Sequence, residues 1–143
     1  MTNHSIQTIA QRSLVAVSIT AASMLLVFCA SLNIFPVAQD KQLGAQFDQE
    51  IRANPKEYPI LNNAAARAYV QAMIDKLVQS PEVRYRGQFA YRAEIINDDN
   101  TINAFCTPGG YIYVYTGLIK MLDNEAALAG VMGHEIAHAE RRH

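Results

Sequence analysis

The spacing of apolar side chains predicts two helices within residues 40–79. Over residues 40–54, Leu43, Phe47 and Ile51 recur every four positions among charged residues, which is the spacing of an amphipathic helix. The proline-containing stretch NPKEYP ends this helix. A second amphipathic helix is predicted over residues 63–79, where an asparagine supplies a favourable N-cap.

The period of the pattern then falls to two, which predicts strands. Apolar residues alternate with Arg92 and Glu94 over residues 89–95, the pattern of a half-buried strand. Two more strands are predicted at 101–106 and 111–116, and the TPGG sequence between them is typical of a tight turn. The three tyrosines of the last strand share one face, where packing is the expected role.

A final helix completes the pattern. A short helical turn is predicted through Ile119 and Leu122, and Asp123 is a favourable N-cap for the helix that follows. The order helix, helix, three strands, helix predicts an α+β domain over residues 40–143. We expect its three strands to form a small antiparallel meander.

The N-terminal 39 residues predict an apolar helix that serves as an export signal or a membrane anchor. No charged residue lies between Ser13 and Gln39, and the stretch 14–35 is about the length of one bilayer span of roughly 20 residues. Cleavage near Cys29 and retention as an anchor both remain open, and lipidation of this cysteine is disfavoured by the bulky residue before it. Because Arg12 precedes the segment, we expect the domain on the extracytoplasmic, periplasmic side.

Composition narrows the choice of partners. Twelve Lys and Arg against thirteen Asp and Glu give a net charge of -1, so no overall positive field attracts nucleic acid, and none is expected as a partner. Half of the residues are hydrophobic, which suits one domain with a buried core. The two cysteines fall in different parts of the chain, and Cys106 is predicted to be a packed thiol.

The last predicted helix carries the sequence HEIAH. On a helix His134 and His138 project only about 40° apart, so both imidazoles reach one point beside it, the arrangement that Zn²⁺ prefers. Glu135 projects about 60° from His138, from where its carboxylate acts as general base towards a zinc-bound water. Gly130 and Gly133 weaken the helix, and we expect another backbone to approach them closely.

Two stretches together resemble a known family. NAFCTPGGYIYVYTGLI at 103–119 and LAGVMGHEIAHAERRH at 128–143 resemble the zinc metallopeptidases of family forty-eight, which includes the CAAX prenyl endopeptidases, the HtpX-like membrane proteases and periplasmic quality-control proteases. The resemblance implies that His134 and His138 are zinc ligands and that Glu135 is the catalytic glutamate. It also implies that the hairpin borders the cleft and binds an extended substrate through Asn103, Ala104, Pro108, Gly109 and Gly110.

The resemblance implies a third ligand that this sequence does not contain. In the family it is a glutamate on a later helix. We therefore expect residues 40–143 to be the N-terminal part of the metallopeptidase domain of a longer protease, so that the zincin-like domain is incomplete in this sequence. His143 and Glu140 point away from the two histidines on the helix and do not replace it.

The predicted function is therefore zinc-dependent endoproteolysis of polypeptide substrates by metal-activated water. By resemblance, these substrates are misfolded or misassembled envelope proteins in a quality-control role. One alternative is a chaperone-like or peptide-binding module with an incomplete, inactive zinc site. Another is a structural membrane protein with an accidental HExxH motif.

Overall fold

The computed structural model describes residues 36–142, in which four helices surround a three-stranded sheet. The elements in chain order are α1 (Val37–Ala53), α2 (Ala64–Leu77), β1 (Arg92–Ile96), β2 (Ala104–Thr107), β3 (Tyr111–Tyr115), α3 (Thr116–Met121) and α4 (Glu125–Arg141). The predicted α+β class is confirmed. The predicted export or anchor segment lies almost wholly outside these residues, and among the helices of 36–142 none has the length and apolarity to cross a bilayer.

The sheet is mixed, so the prediction of an antiparallel meander is wrong. β3 lies in the centre, with β2 antiparallel on one side and β1 parallel on the other. Arg92 of β1 lies beside Tyr111 of β3, and Ile96 lies beside Tyr115. Alternation of apolar and polar residues is the same in parallel and antiparallel strands, so the pattern carries no information on direction.

β1 and β3 are buried on both sides, because a hydrophobic core covers each face of the sheet. On one face, Ile95 and Val114 belong to the larger core with residues of α2 and α4. On the other face, Ile96 and Tyr113 form a smaller core with Ile51 of α1. The helices on either side of the sheet are therefore tied to the same two strands.

Glu94 corrects the prediction that β1 is half-buried, since this residue is only 2% exposed. Its Oε1 accepts hydrogen bonds from Nη2 of Arg52 and, at 3.3 Å, from Nη2 of Arg92. The Nη1 atom of Arg67 lies 3.8 Å from its Oε2. A buried carboxylate is tolerated when cations and hydrogen bonds compensate its lost hydration. Here Oε1 accepts two hydrogen bonds from arginines, whereas Oε2 has the charge of Arg67 nearby but accepts no hydrogen bond within the described residues.

The face of α1 that meets the sheet is not the predicted apolar stripe. Leu43 and Phe47 are 40% and 39% exposed, whereas Gly44, Asp48 and Ile51 are buried. Asp48 is accepted on this face because its Oδ1 receives a hydrogen bond of 2.7 Å from the Tyr113 hydroxyl. Its Oδ2 accepts one of 3.0 Å from Nε of Arg52. Paired polar groups therefore take the place of two large apolar side chains.

Burial by itself would raise the pKa of the Asp48 carboxyl, but hydrogen bonds from Arg52 and Tyr113 outweigh it and hold this pKa below its usual value. Burial, and after it the hydrogen bond to Asp48, raise the pKa of Tyr113. Asp48 is therefore ionised and Tyr113 protonated at neutral pH, the states in which their hydrogen bond forms.

We expect Asp48→Asn to lower the free energy of unfolding by about 1–3 kcal/mol at neutral pH, because the ion pair and a charge-assisted hydrogen bond are lost. Since the folded-state pKa is depressed, the contribution is full above the unfolded-state pKa of about 3.9 and disappears as pH falls through the folded-state pKa. Urea unfolding of both proteins over an acid pH series measures this difference. Glu50→Gln, at an exposed carboxylate of α1, is the control. A difference that persists undiminished in strong acid would contradict the assignment.

Candidate metal centre

The helix that carries the HExxH sequence begins one residue later than predicted. The side-chain Oδ1 of Asn124, not Asp123, caps α4 by accepting a hydrogen bond of 3.0 Å from the Ala127 amide. Both residue types are good caps, so the sequence alone does not distinguish adjacent positions. The helix ends at Arg141, and Arg142 follows with a left-handed backbone, φ 55°.

The two histidines of α4 converge as their spacing predicts. Nε2 of His134 lies 3.0 Å from Nε2 of His138, and both side chains are exposed. The ring centroids are 4.6 Å apart and the rings are nearly perpendicular, at 84°. A tetrahedral zinc ion with Zn–N distances of about 2.0–2.1 Å separates two nitrogen ligands by about 3.3 Å. The pair therefore fits two positions of such a site with a small adjustment.

A third ligand is not found in the described part of the chain. Within residues 36–142, no group of three or more His, Cys, Asp or Glu side chains is arranged to hold a metal ion. Among these residues, the donor set is limited to two imidazoles at one point on α4.

Glu135 lies on the inner side of α4 and is only 7% exposed. Burial, and to a smaller extent the charge of Glu135, raise the pKa of Cys106 on the edge strand β2 to about 12. The Cys106 thiol donates to the Thr107 carbonyl oxygen at 3.3 Å, and it is free, as predicted for a packed thiol. α4 packs against β2, and Glu135 is on the buried side of this helix.

The β2–β3 turn has the backbone conformation that its glycines allow. Gly109 and Gly110 have φ angles of 76° and 84°, which side chains disfavour. Both carbonyl oxygens are occupied, since Ala90 donates to Gly109 at 2.7 Å and Arg92 donates to Gly110 at 3.0 Å. Gly109 and Gly110, which are predicted to bind substrate, therefore use their carbonyl oxygens to hold the turn near the start of β1. These two oxygens are not free for a substrate.

The free backbone groups lie on β2 itself. The Tyr115 amide donates to the Asn103 carbonyl oxygen at 3.0 Å, which fixes the alternation of bonds along this antiparallel pair. By that alternation, the amide and carbonyl of Ala104 and Cys106 point away from β3. No other strand pairs with this edge in residues 36–142. Substrate binding by Ala104 stays a prediction, and the backbone of Cys106, which sequence spacing did not single out, lies on the same open edge.

The hairpin and α4 enclose a small cavity of about 70 Å³. Its walls come from three elements and the hairpin turn: Asp40, Cys106, Thr107, Pro108, Gly109, His138, Ala139 and Arg142. The structure therefore brings Pro108 and Gly109 next to the predicted ligand His138. Asn103, Ala104 and Gly110 are not part of this wall.

Glu140 holds α4 to the segment before β1. Its carboxylate accepts hydrogen bonds from the backbone amides of Arg84 at 2.7 Å and Tyr85 at 3.3 Å, and from the hydroxyl of Tyr91. Burial and this last bond raise the pKa of Tyr91. Tyr91 has a positive φ of 39°, which is not an extended conformation. β1 therefore begins at Arg92, three residues after the predicted start.

The two helix glycines do not have the predicted neighbours. An added Cβ at Gly130 or Gly133 would meet no atom within 4 Å in the described part of the chain. Close backbone approaches occur at Gly44, where a Cβ would lie 1.9 Å from the Pro108 carbonyl oxygen, and at Gly117, 2.5 Å from that of Thr101. These two glycines fall where separate elements meet, which spacing along one helix does not reveal.

Comparison with known proteins identifies the family of this chain. Residues 64–143 match the model of Peptidase family M48. The mitochondrial metalloendopeptidase OMA1 of Schizosaccharomyces pombe is 47% identical over 107 residues, which is 75% of this chain and 29% of that protein. The beta-barrel assembly-enhancing protease of Escherichia coli (strain K12) is 30% identical over 107 residues, which is 75% of this chain and 20% of that protein. The chain thus spans less than a third of the length of either relative.

We expect Glu140→Gln to lower the free energy of unfolding by about 1–3 kcal/mol. The variant loses the negative charge and one of the two carboxylate oxygens that accept hydrogen bonds from the backbone amides of Arg84 and Tyr85. Its metal content should stay unchanged, since the carboxylate faces away from the two imidazoles. Urea unfolding and elemental analysis measure the two effects. Glu82→Gln, at an exposed carboxylate, is the control. Loss of metal without loss of stability would instead make Glu140 a ligand.

Proposed function

Because the chain belongs to peptidase family M48, we propose that it is part of a zinc-dependent metalloendopeptidase that hydrolyses peptide bonds in polypeptide substrates. The observation that supports this most directly is the convergence of His134 and His138, with Nε2 atoms 3.0 Å apart, next to the hairpin. Glu135 lies between them in sequence, on the buried side of the helix, and this helix packs against β2.

The three residues have different roles in this proposal. His134 and His138 hold the zinc ion through Nε2. When bound, zinc supplies Lewis acidity and lowers the pKa of a water ligand towards about 7. Glu135 accepts the proton of the attacking water and later delivers it to the nitrogen of the leaving amine. Its position between α4 and β2 limits its access to bulk water, which strengthens its interaction with a developing charge.

A two-histidine site is not complete, because catalytic zinc sites normally have three protein ligands and a water. We propose that a carboxylate outside residues 36–142 is the third ligand, as the family resemblance implies.

The substrate is proposed to bind as an extended strand along the outer edge of β2. Backbone hydrogen bonds to Ala104 and Cys106 give affinity with little demand on the substrate's sequence. Pro108 and Gly109 close one end of this edge beside His138. A substrate carbonyl at that end comes close to both the metal ligands and Glu135.

Other features support proposals for the location of the protein and for its substrates. We propose that residues 1–39 export or anchor the protein and that the domain is extracytoplasmic. One group of relatives is named for enhancing β-barrel assembly, and on that ground we propose misassembled envelope proteins as substrates, in a quality-control role.

A chaperone-like module is the second candidate, favoured by the unpaired edge of β2 and by the two-histidine site in residues 36–142. The two functions differ in their dependence on metal. Protection of a client protein from aggregation that is equal with and without chelator, together with no cleavage, would support the module.

We expect Glu135→Gln in the full-length protein to abolish casein cleavage and to leave the zinc content unchanged, because a neutral amide cannot accept the proton of the attacking water. Gel analysis of casein and elemental analysis of the same preparation measure both effects. Glu50→Gln, a carboxylate-to-amide change on exposed α1 surface, is the matched control and should cleave casein normally. Cleavage retained by Glu135→Gln would exclude the glutamate as base.

We expect His134→Ala combined with His138→Ala to remove stoichiometric zinc, because both nitrogen ligands are lost and the remaining ligands bind zinc weakly. Zinc bound to the purified full-length protein is measured by elemental analysis after dialysis. Zinc undiminished in the double variant would place the ion elsewhere and would reject this site.

A further inference from the structure

Four residues of α1 at intervals of four lie along one side of the helix, and each contacts another part of the domain. The Asp40 carboxylate pairs with Arg142 beyond α4, and Gly44 lies against the hairpin. Asp48 bonds to Tyr113 of β3, and Arg52 bonds to buried Glu94 of β1. This row runs from the metal-binding helix, across the hairpin, to the sheet. Its first two members touch the two walls of the cavity beside His138.

The contact at Gly44 is between two backbones. A Cβ built on Gly44 would lie 1.9 Å from the carbonyl oxygen of Pro108 and 2.9 Å from its carbonyl carbon. Neither atom can move without the turn moving. From the other side, a Cβ on Gly109 would lie 3.0 Å from the Asp40 carbonyl oxygen. Each of the two surfaces therefore needs a glycine for the helix and the turn to approach this closely.

The contact at Asp40 holds the end of the metal-binding helix. Nε of Arg142 donates to Oδ2 of Asp40 at 2.5 Å, and the side chains are only 8% and 16% exposed. Arg142 has a left-handed backbone, a conformation that costs free energy in a residue with a side chain. The pair raises the pKa of Arg142, so the arginine is charged at every pH at which the domain is folded. Arg142 follows His138 by four residues, so this bond fixes the turn of helix next to the ligand.

We propose that α1 sets the distance between the hairpin and α4, and that Gly44 and Asp40 are positioning residues for substrate binding. The inference rests on the proposed function, because the space that these walls enclose is the end of the proposed substrate cleft. Gly44 fixes the hairpin wall, and Asp40 fixes the helix wall through Arg142. Neither residue reaches the reacting atoms. Both act by holding the β2 edge at a constant distance from the metal ligands.

The first test is Gly44→Ala in the full-length protein. The added methyl group lies 1.9 Å from the Pro108 carbonyl oxygen and forces the turn and α1 apart by about 1.5 Å to reach ordinary contact, although alanine itself favours the helix. Misplacement on this scale costs up to about a hundredfold in kcat/KM. We expect the KM for fluorescein-labelled β-casein to rise at least about tenfold, with kcat and zinc content nearly unchanged. Gln46→Ala, at an exposed position of α1, is the control and should leave KM unaltered.

The second test is a double-mutant cycle of Asp40→Ala and Arg142→Ala. We expect each to raise KM several-fold, and the double variant to raise it no more than the larger single change, because both remove one interaction. Glu50→Ala is the control for loss of a carboxylate on α1. If the variants lower the melting temperature but leave KM unchanged, α1 is only a structural element and the proposal is rejected. Additive effects on KM reject the pairing.

Binding to the Glu135→Gln protein separates this inference from the proposed function. Fluorescence anisotropy with labelled β-casein gives an affinity that does not depend on cleavage. Weaker binding with Gly44→Ala supports the positioning role even if the parent protein cleaves nothing, a result that would reject the proposed function alone. Equal affinity with and without Gly44→Ala rejects the positioning role whether or not casein is cleaved.

Discussion

The central position of β3 is the constraint on which the rest of the domain depends. The strand is hydrogen-bonded along both edges and packed on both faces, so it has no freedom to shift independently. On one face Ile112 and Val114 meet the core that includes α4, and on the other Tyr113 bonds to Asp48 of α1. Both α1 and α4 are therefore positioned by contacts with β3. The hairpin that lies between these helices is formed by β3 and its neighbour β2.

Local physics explains why the sequence predicts the elements so well. The helices and strands follow from the period of apolar positions, and the turn follows from two glycines that take positive φ angles. The convergence of His134 and His138 needs only the pitch of one helix, so it too is readable from spacing. Each of these features depends on residues within a few positions of one another.

The features that the sequence does not predict depend on distant residues. The direction of β1 depends on how residues 97–103 return to the sheet, and alternation gives no sign of it. The buried face of α1 is polar because Tyr113 and Arg52 satisfy Asp48, a pairing over 65 positions in the first case. Glu140 and Tyr91 are 49 positions apart, and Asp40 and Arg142 are 102 apart. A hydrophobic pattern therefore assigns these carboxylates to solvent, whereas the fold uses each of them to join two elements.

The raised pKa of Cys106 has a chemical consequence for the whole domain. A thiol reacts with disulfides, alkylating agents and most oxidants as the thiolate, and at neutral pH a thiol with a pKa of about 12 is almost entirely protonated. The sulfur beside the candidate centre is therefore a poor partner for mixed-disulfide formation while the domain is folded. A cysteine at this strand is compatible with an oxidising environment, where a reactive thiol would cross-link to other chains.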